Sequence, residues 1–206
     1  MAKQATKKRI FPWTTNIDGT KITLRLMTAA DKDAVLAFAH SLPEDDLLFL
    51  SFDITDEAFV ASWVKRIEKG NWHTILVEAN GKLVGHGSLM QTEQVWSRHL
   101  GEIILLLSPE MRGKGLGSIL AGELFVKAED LGLQKVVARM AAEQKGAIQV
   151  FEKLGFKIEA LLADYVIDRH DKTHDLEVPL DMSLSVMEVC KSYELPVEAI
   201  CGGIAL

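Results

Sequence analysis

The chain has 206 residues, 48% of them apolar and 25% charged, with a formal net charge of −6. That length and apolar content suffice for one sizeable core in a single domain, the acidic balance argues against nucleic acid as the main partner, and no apolar run approaches the roughly 20 residues of a membrane helix. Both cysteines, Cys190 and Cys201, lack C-x-x-C spacing and are too few for a disulfide framework; with a basic start, MAKQATKKRIFPW, that has no secretion-type apolar segment, a cytoplasmic location is expected.

Along the chain, Lys3, Lys7, Lys8 and Arg9 read as a solvated arm. KITLRLM (21–27) alternates as a strand does, and Thr28 or Asp31 can cap a helix running to about His40. SLPEDDLLFLSF ends that helix at Pro43 and leaves room for a shorter one. TDEAFVASWVKRIEKG puts Phe59, Trp63 and Ile67 on one helical face and closes on Gly70. HTILVEA and KLVGHGSLM flank Asn80-Gly81, a strong hairpin sequence. Gly101 to Leu107 is apolar on both faces apart from Glu102, as expected of a strand covered on both sides. Leu116, Leu120, Leu124, Ala128 and Leu131 recur at helical spacing up to Gly132. VVARM is a short strand, QKGAIQVFEKLG a helix with Ala147, Phe151 and Leu154 inward, and FKIEALLADYVID and HDLEVPLDM are the last strands. The class is α/β with a mixed sheet, without repeats or a second domain.

Between the apolar strand and the long helix stands MRGKGLGS (111–118), a turn with glycine at every second position. It is not a dinucleotide fingerprint, because Ser118 occupies the place of the third glycine and no acidic residue ends VVARM. Nor is it a nucleoside-triphosphate loop, because Lys114 lies between the glycines rather than after the last. What remains is a strand, an R-x-x-G-x-G turn at Arg112, Gly115 and Gly117, and a helix whose N-terminal N–H groups face the turn, an arrangement that holds a pyrophosphate.

With this turn, the preceding EIILLLSPEM, and AIQVFEKLGF ending in Leu154-Gly155-Phe156, the chain resembles the GCN5-related N-acetyltransferases (GNAT) from about Asp18 to Met182. Its start, DGTKITLRLMTAADKDAVLAFAHSLPEDD, is further similar to the acetyltransferase domain of bacterial protein-lysine acetyltransferases. The resemblance implies a mixed, mostly antiparallel seven-stranded sheet with splayed central strands, flanked by four helices, over residues 18–182. An N-terminal arm (1–17) would precede it and an apolar extension (183–206) would follow. It also implies acetyl-CoA as cosubstrate and no metal. The pyrophosphate would lie on the main-chain amides of Gly113, Lys114, Gly115, Leu116, Gly117 and Ser118, and the pantetheine arm would run like an added strand beside Leu105 and Leu107. Arg112 and Lys114 would add positive charge there; the other reading is two solvated loop cations. Gln144 and Phe151, counted with the cofactor-binding residues, stand where the family often has asparagine and a tyrosine that protonates the thiolate. Lacking that hydroxyl, the thiol, with a pKa near ~8.5, leaves as thiolate and takes its proton from water.

Transfer to an amine needs a base, because deprotonating a group of pKa near ~10.4 at pH 7 costs roughly 4 to 5 kcal/mol. Glu102 is the candidate, as the one ionisable side chain in the strand leading to the turn; it also matches a position where some family members carry a catalytic glutamate. The competing reading is a strand-end glutamate facing solvent or paired with Arg98 or His99. Tyr165 reads as a sheet tyrosine, with a general-acid role as the lesser alternative. Glu44, Asp45 and Asp46 read as surface charge, with attraction of an amine as the second reading. The histidines show no H-x-x-x-H spacing for a metal. The extension, VMEVCKSYELPVEAICGGIAL, is apolar enough to pack on its own domain or, in a homodimer, on a second subunit. The acceptor class is open among small amines, protein lysines and protein N-termini, and the alternatives to an enzyme are an acyl-CoA-binding regulatory module and an interaction scaffold.

Overall fold

The computed structural model describes residues 9–48, 50–92, 94–154, 156–168, 170–180 and 182–183. In chain order these form β1 (Trp13–Ile17), β2 (Thr20–Leu26), α1 (Lys32–His40), α2 (Glu44–Leu47), α3 (Glu57–Glu68), β3 (Trp72–Ala79), β4 (Lys82–Gln91), β5 (Leu100–Leu107), α4 (Leu116–Asp130), β6 (Lys135–Val137), β7 (Met140–Ala141), α5 (Lys145–Lys153), β8 (Ile158–Ile167), β9 (Thr173–Leu180) and β10 (Met182–Ser183).

Local chemistry accounts for several boundaries. The turn between β3 and β4 has positive φ at both Asn80 (51°) and Gly81 (84°), the backbone that matches the twist of a tight hairpin and that Asn-Gly tolerates best. Helix α3 starts where the Asp56 carboxylate accepts the N–H groups of Ala58 and Phe59, satisfying donors that a helix cannot pair internally.

A seven-stranded sheet runs β1-β2-β3-β4-β5-β6-β10, and a second, three-stranded sheet runs β7-β9-β8. Within the large sheet only β5 and β6 pair in parallel. Its two faces carry separate cores. On one, Ile103 of β5 and Val77 of β3 pack with Leu116, Leu120 and Leu124 of α4 and Phe151 of α5. On the other, Leu76, Met90 and Leu106 pack with Val35 and Phe38 of α1 and Val60 and Trp63 of α3.

Two expectations are corrected. VVARM is not one strand, because pairing breaks at Ala138-Arg139 and its halves join different sheets, β6 beside β5 and β7 beside β9. The described residues therefore hold ten strands in two sheets rather than seven in one. Residues 13–17, placed with the arm by the sequence reading, pair along β2 as an edge strand of the large sheet. The short helix allowed after Pro43 is α2, which makes five α-helices among the described residues. Among those residues no helix is long and apolar enough to cross a membrane. The expectation for the C-terminal extension falls on residues 184–206, outside the described part.

Candidate active site

The site is built at the point where the large sheet opens. β5 and β6 pair only over Leu100–Lys135, Gly101–Val136 and Glu102–Val137; beyond Glu102, β5 runs on to Leu107 while the other chain turns away into β7. The register with β4 decides which main-chain groups face this gap. Ser108 N–H donates to the Val84 carbonyl at 2.9 Å, and antiparallel pairing alternates, so even-numbered residues of β5 aim their main-chain groups at β4. The N–H and C=O groups of Ile103, Leu105 and Leu107 therefore turn toward the gap. Their side chains belong to the α4 core, so Leu105 and Leu107 offer backbone to the gap and side chains to the interior.

The gap leads to the glycine turn. Gly113 and Gly115 have φ of 72° and 79°, a conformation costing other residues roughly 1–2 kcal/mol, and Gly115 is the N-cap of α4. The first α-helical bond here runs from Ile119 N–H to the Gly115 carbonyl (3.1 Å), so the N–H groups of Leu116, Gly117 and Ser118 precede the ladder and lie at the positive end of a 15-residue helix. A Cβ on Gly117 would meet only Val150, at 3.6 Å. Nothing inside the protein forbids a side chain there, which fits an outer requirement for bare backbone.

Arg112 is partnered rather than solvated. Its Nε and Nη2 donate to the Leu107 carbonyl at 3.1 and 3.0 Å, and Nη2 lies 2.6 Å from Asp46 Oδ2. The guanidinium thus bridges the end of β5 and α2, and it neutralises one of the three acidic residues considered as an amine lure; Glu44 faces His170 at 3.8 Å. Lys114 is exposed on the turn.

Glu102 lies at the fork itself. Its side chain is 23% exposed and its Oε2 is 3.4 Å from Arg139 Nη1. Burial pushes its carboxyl above the usual glutamate range, with Arg139 pulling the other way. The partner anticipated at Arg98 or His99 is instead Arg139, from the loop between β6 and β7. Nothing local in VVARM marks that arginine, because its position depends on the break in pairing. Arg98 donates to the Val95 carbonyl.

The remaining candidates are Gln144, Phe151 and Tyr165. Gln144 is the N-cap residue of α5 and its Oε1 accepts Ala141 N–H at 2.9 Å, so it shapes the entry to that helix. Phe151 is 3% exposed and packs edge-on against Phe156 at 5.0 Å; its part is in the core. Tyr165 is 64% exposed on β8. Among the described residues no group of three or more His, Cys, Asp or Glu is arranged to hold a metal.

Comparison with known proteins bears on the family and the fold. The model of the acetyltransferase (GNAT) family matches residues 36–156. L-amino acid N-acyltransferase MnaT of Escherichia coli (strain K12) is 26% identical over 100 residues, 48% of this chain and 58% of that protein. Spermidine N(1)-acetyltransferase of the same organism is 29% identical over 132 residues, 62% of this chain and 70% of its own length. The match thus spans less than two thirds of the first relative. Among solved structures, yncA of Salmonella typhimurium with acetyl-CoA superposes with a TM-score of 0.67 at 22% identity, covering 79% of this chain and 94% of that one. Spermidine N-acetyltransferase of Vibrio cholerae with CoA and spermine gives 0.66 at 19%, covering 80% and 96%. The family match takes in the opening between β5 and β6, the glycine turn and α5 together, and on that basis the chain belongs to the acetyltransferase (GNAT) family.

Proposed function

We propose that this protein is an acetyl-CoA-dependent N-acetyltransferase that moves the acetyl group directly to an amine. The observation that carries the reading is the opening beyond Glu102, where a raised-pKa carboxyl, the strand edge that β6 leaves and the N-terminus of α4 follow one another along the chain. Both curated relatives bear names of enzymes that acylate amines.

The residues present fit the cosubstrate. The main-chain groups of Leu105 and the N–H of Leu107, which face the gap, can pair with an extended amide-bearing arm as a further strand would, while the Leu107 carbonyl already accepts from Arg112. The N–H groups of Gly113 to Ser118 suit a pyrophosphate, with Lys114 beside them as a mobile counter-charge. Arg112 would act mainly by holding the Leu107 end of β5 against α2. Bound there, acetyl-CoA supplies an activated acyl carbonyl and a thiolate leaving group. Glu102, as carboxylate, takes the proton from the acceptor ammonium, directly or through a water, and so frees the nitrogen lone pair. Its raised pKa makes it a stronger base than an exposed glutamate. Arg139 opposes the shift that burial causes. No side chain at the fork is a nucleophile poised to carry the acyl group, which favours direct transfer.

The test is thiol release from acetyl-CoA with a panel of small amines, amino acids and lysine peptides at pH 7 and pH 9. The expected result is turnover with one class, rising with pH. Acetyl-CoA binding without turnover for any amine would overturn the enzymatic reading in favour of a regulatory module.

A further inference from the structure

The single helical turn after Pro43 comes to lie across the opening in the sheet. Within α2 the Pro43 carbonyl accepts Asp46 N–H at 3.0 Å and the Glu44 carbonyl accepts Leu48 N–H at 3.1 Å. A helix this short has no stability of its own and depends on what it packs against. Leu47, 7% exposed, seats it in the core that also holds Leu106, on the α1 and α3 side of the sheet. The residues before that leucine are all acidic, and two of the three carboxylates meet opposite banks of the opening.

On the β5 bank the partner is Arg112. The Asp46 side chain is 16% exposed, and its buried Oδ2 lies 2.6 Å from Arg112 Nη2, off the hydrogen-bond line, so charge rather than direction holds the pair. The same guanidinium donates through Nε and Nη2 to the Leu107 carbonyl. Leu107 therefore has its carbonyl occupied and its N–H left toward the gap.

On the other bank Glu44 Oε1 lies 3.8 Å from His170 Nε2, with both side chains exposed. His170 belongs to the turn between β8 and β9. Because β9 is antiparallel to β7 and starts from that turn, the turn stands at the end of the fork toward which β7 leads. It is firmly built: Asp168 accepts the N–H groups of His170 and Lys172 at 2.8 and 3.0 Å and is tied through His174 to Glu143, just before α5. The two contacts of α2 are thus unequal. The Asp46 pair is partly buried and fixed, whereas an exposed pair at the distance of Glu44 and His170 contributes little and parts easily.

We propose that α2 is a strap across the opening, pinned to the β5 bank by Asp46 and closing on the β8–β9 turn over the amide-bearing arm of the cosubstrate, and that Asp46 is a positioning residue for that arm. The inference rests on the acetyltransferase reading above. Asp46 does two things through one guanidinium: it keeps Arg112 on the Leu107 carbonyl, and it holds α2 above the stretch of β5 along which the arm would pair. It touches no reacting atom, so it governs how tightly the donor is held rather than how fast the acyl group moves.

The test is Asp46→Asn, which keeps the shape and removes the charge, assayed by thiol release with acetyl-CoA and with acetyl-pantetheine, which has the arm and no pyrophosphate. The KM of both donors is expected to rise by a similar factor, roughly 5- to 50-fold, the range for a charge-assisted contact half open to water, with kcat at saturating donor falling far less. In an Arg112→Met background the same substitution should add nothing further. A rise for acetyl-CoA alone, tighter binding of acetyl-CoA, or an undiminished effect in the Arg112→Met background would overturn the assignment. Should Asp46→Asn not fold, hydrogen exchange on the unmodified protein with and without CoA reads the strap directly. The Asp46 and Leu48 amides should exchange roughly tenfold more slowly with CoA bound, while those of β1 do not change. CoA bound with no change at α2 would overturn the strap and leave the acetyltransferase reading standing. Slower exchange at α2 with no thiol released for any amine would support the strap and count against the transfer reaction.

Discussion

Glu102→Gln keeps the shape of the side chain and removes its ability to take a proton. With an amine pKa near ~10.4, only about one acceptor molecule in 2,500 is neutral at pH 7. A positioned base is worth roughly 10² to 10⁴ in rate, so kcat/KM at pH 7 should fall by about that factor, and the deficit should shrink as the pH approaches the amine's own pKa. Because burial raises the carboxyl above the usual glutamate range against the opposing pull of Arg139, the acid limb of the wild-type profile should lie above pH 4.5 and vanish in the variant. The sign of the stability effect follows from the same shift. A carboxyl raised in the folded state costs stability as pH rises from the unfolded value through the folded one, so glutamine at this position should not lower Tm at pH 7. Stopped-time thiol release from pH 5 to 10, with parallel melts, measures both. Turnover at pH 7 indistinguishable from wild type would sink the base assignment, and a lower Tm would show that the 3.4 Å pair with Arg139 outweighs burial.

Arg139→Met removes the charge that restrains Glu102, so the acid limb should move to higher pH with little change on the alkaline side; a limb that does not move would refute the electrostatic coupling. Gly117→Ala should leave Tm unchanged or slightly higher, since its Cβ meets only Val150 at 3.6 Å and alanine favours helix by roughly 1 kcal/mol, yet weaken acetyl-CoA binding measured by calorimetry; equal affinity would refute bare backbone as the phosphate cradle. Gly115→Ala, at φ of 79°, should lower Tm by roughly 2 to 8 °C, from about 1–2 kcal/mol of left-handed strain in a chain of this size. His174 bridges Glu143 and Asp168 at 2.8 Å on each ring nitrogen. Its pKa is raised and that of Asp168 is lowered to about 2, so the stabilisation is present between about pH 4 and 6.5, and is lost upward as His174 deprotonates and downward as Asp168 protonates. His174→Ala should accordingly lower Tm more at pH 5.5 than at pH 9, and an equal loss at both would refute the pairing.

Local and periodic features were legible without coordinates. The Asn80-Gly81 hairpin, the helix from Leu116 and the strand around Glu102 follow from residue spacing, because each depends on neighbours a few positions away. The glycine turn was legible for the same reason, since positive φ at Gly113 and Gly115 is a local demand that only glycine meets freely. What VVARM does was not legible: Val136 and Val137 stay with β5 while Met140 leaves for β9, and that choice depends on which edges other strands have already occupied. From that break come the gap beside Leu105 and Leu107 and the placement of Arg139 against Glu102, so the partner expected at Arg98 or His99 could not be corrected from sequence. Packing also supplied the partners of Phe151 and Gln144, one enclosed with Phe156 and the other tied to Ala141. The sequence by itself determined most of the elements, the glycine turn before α4 and the one carboxylate in the central strand. Only the tertiary structure decided where the sheet opens, what faces that opening, and that Asp46, from a different element, meets Arg112 at the end of β5, because contacts between distant segments are selected by competition for shared surface.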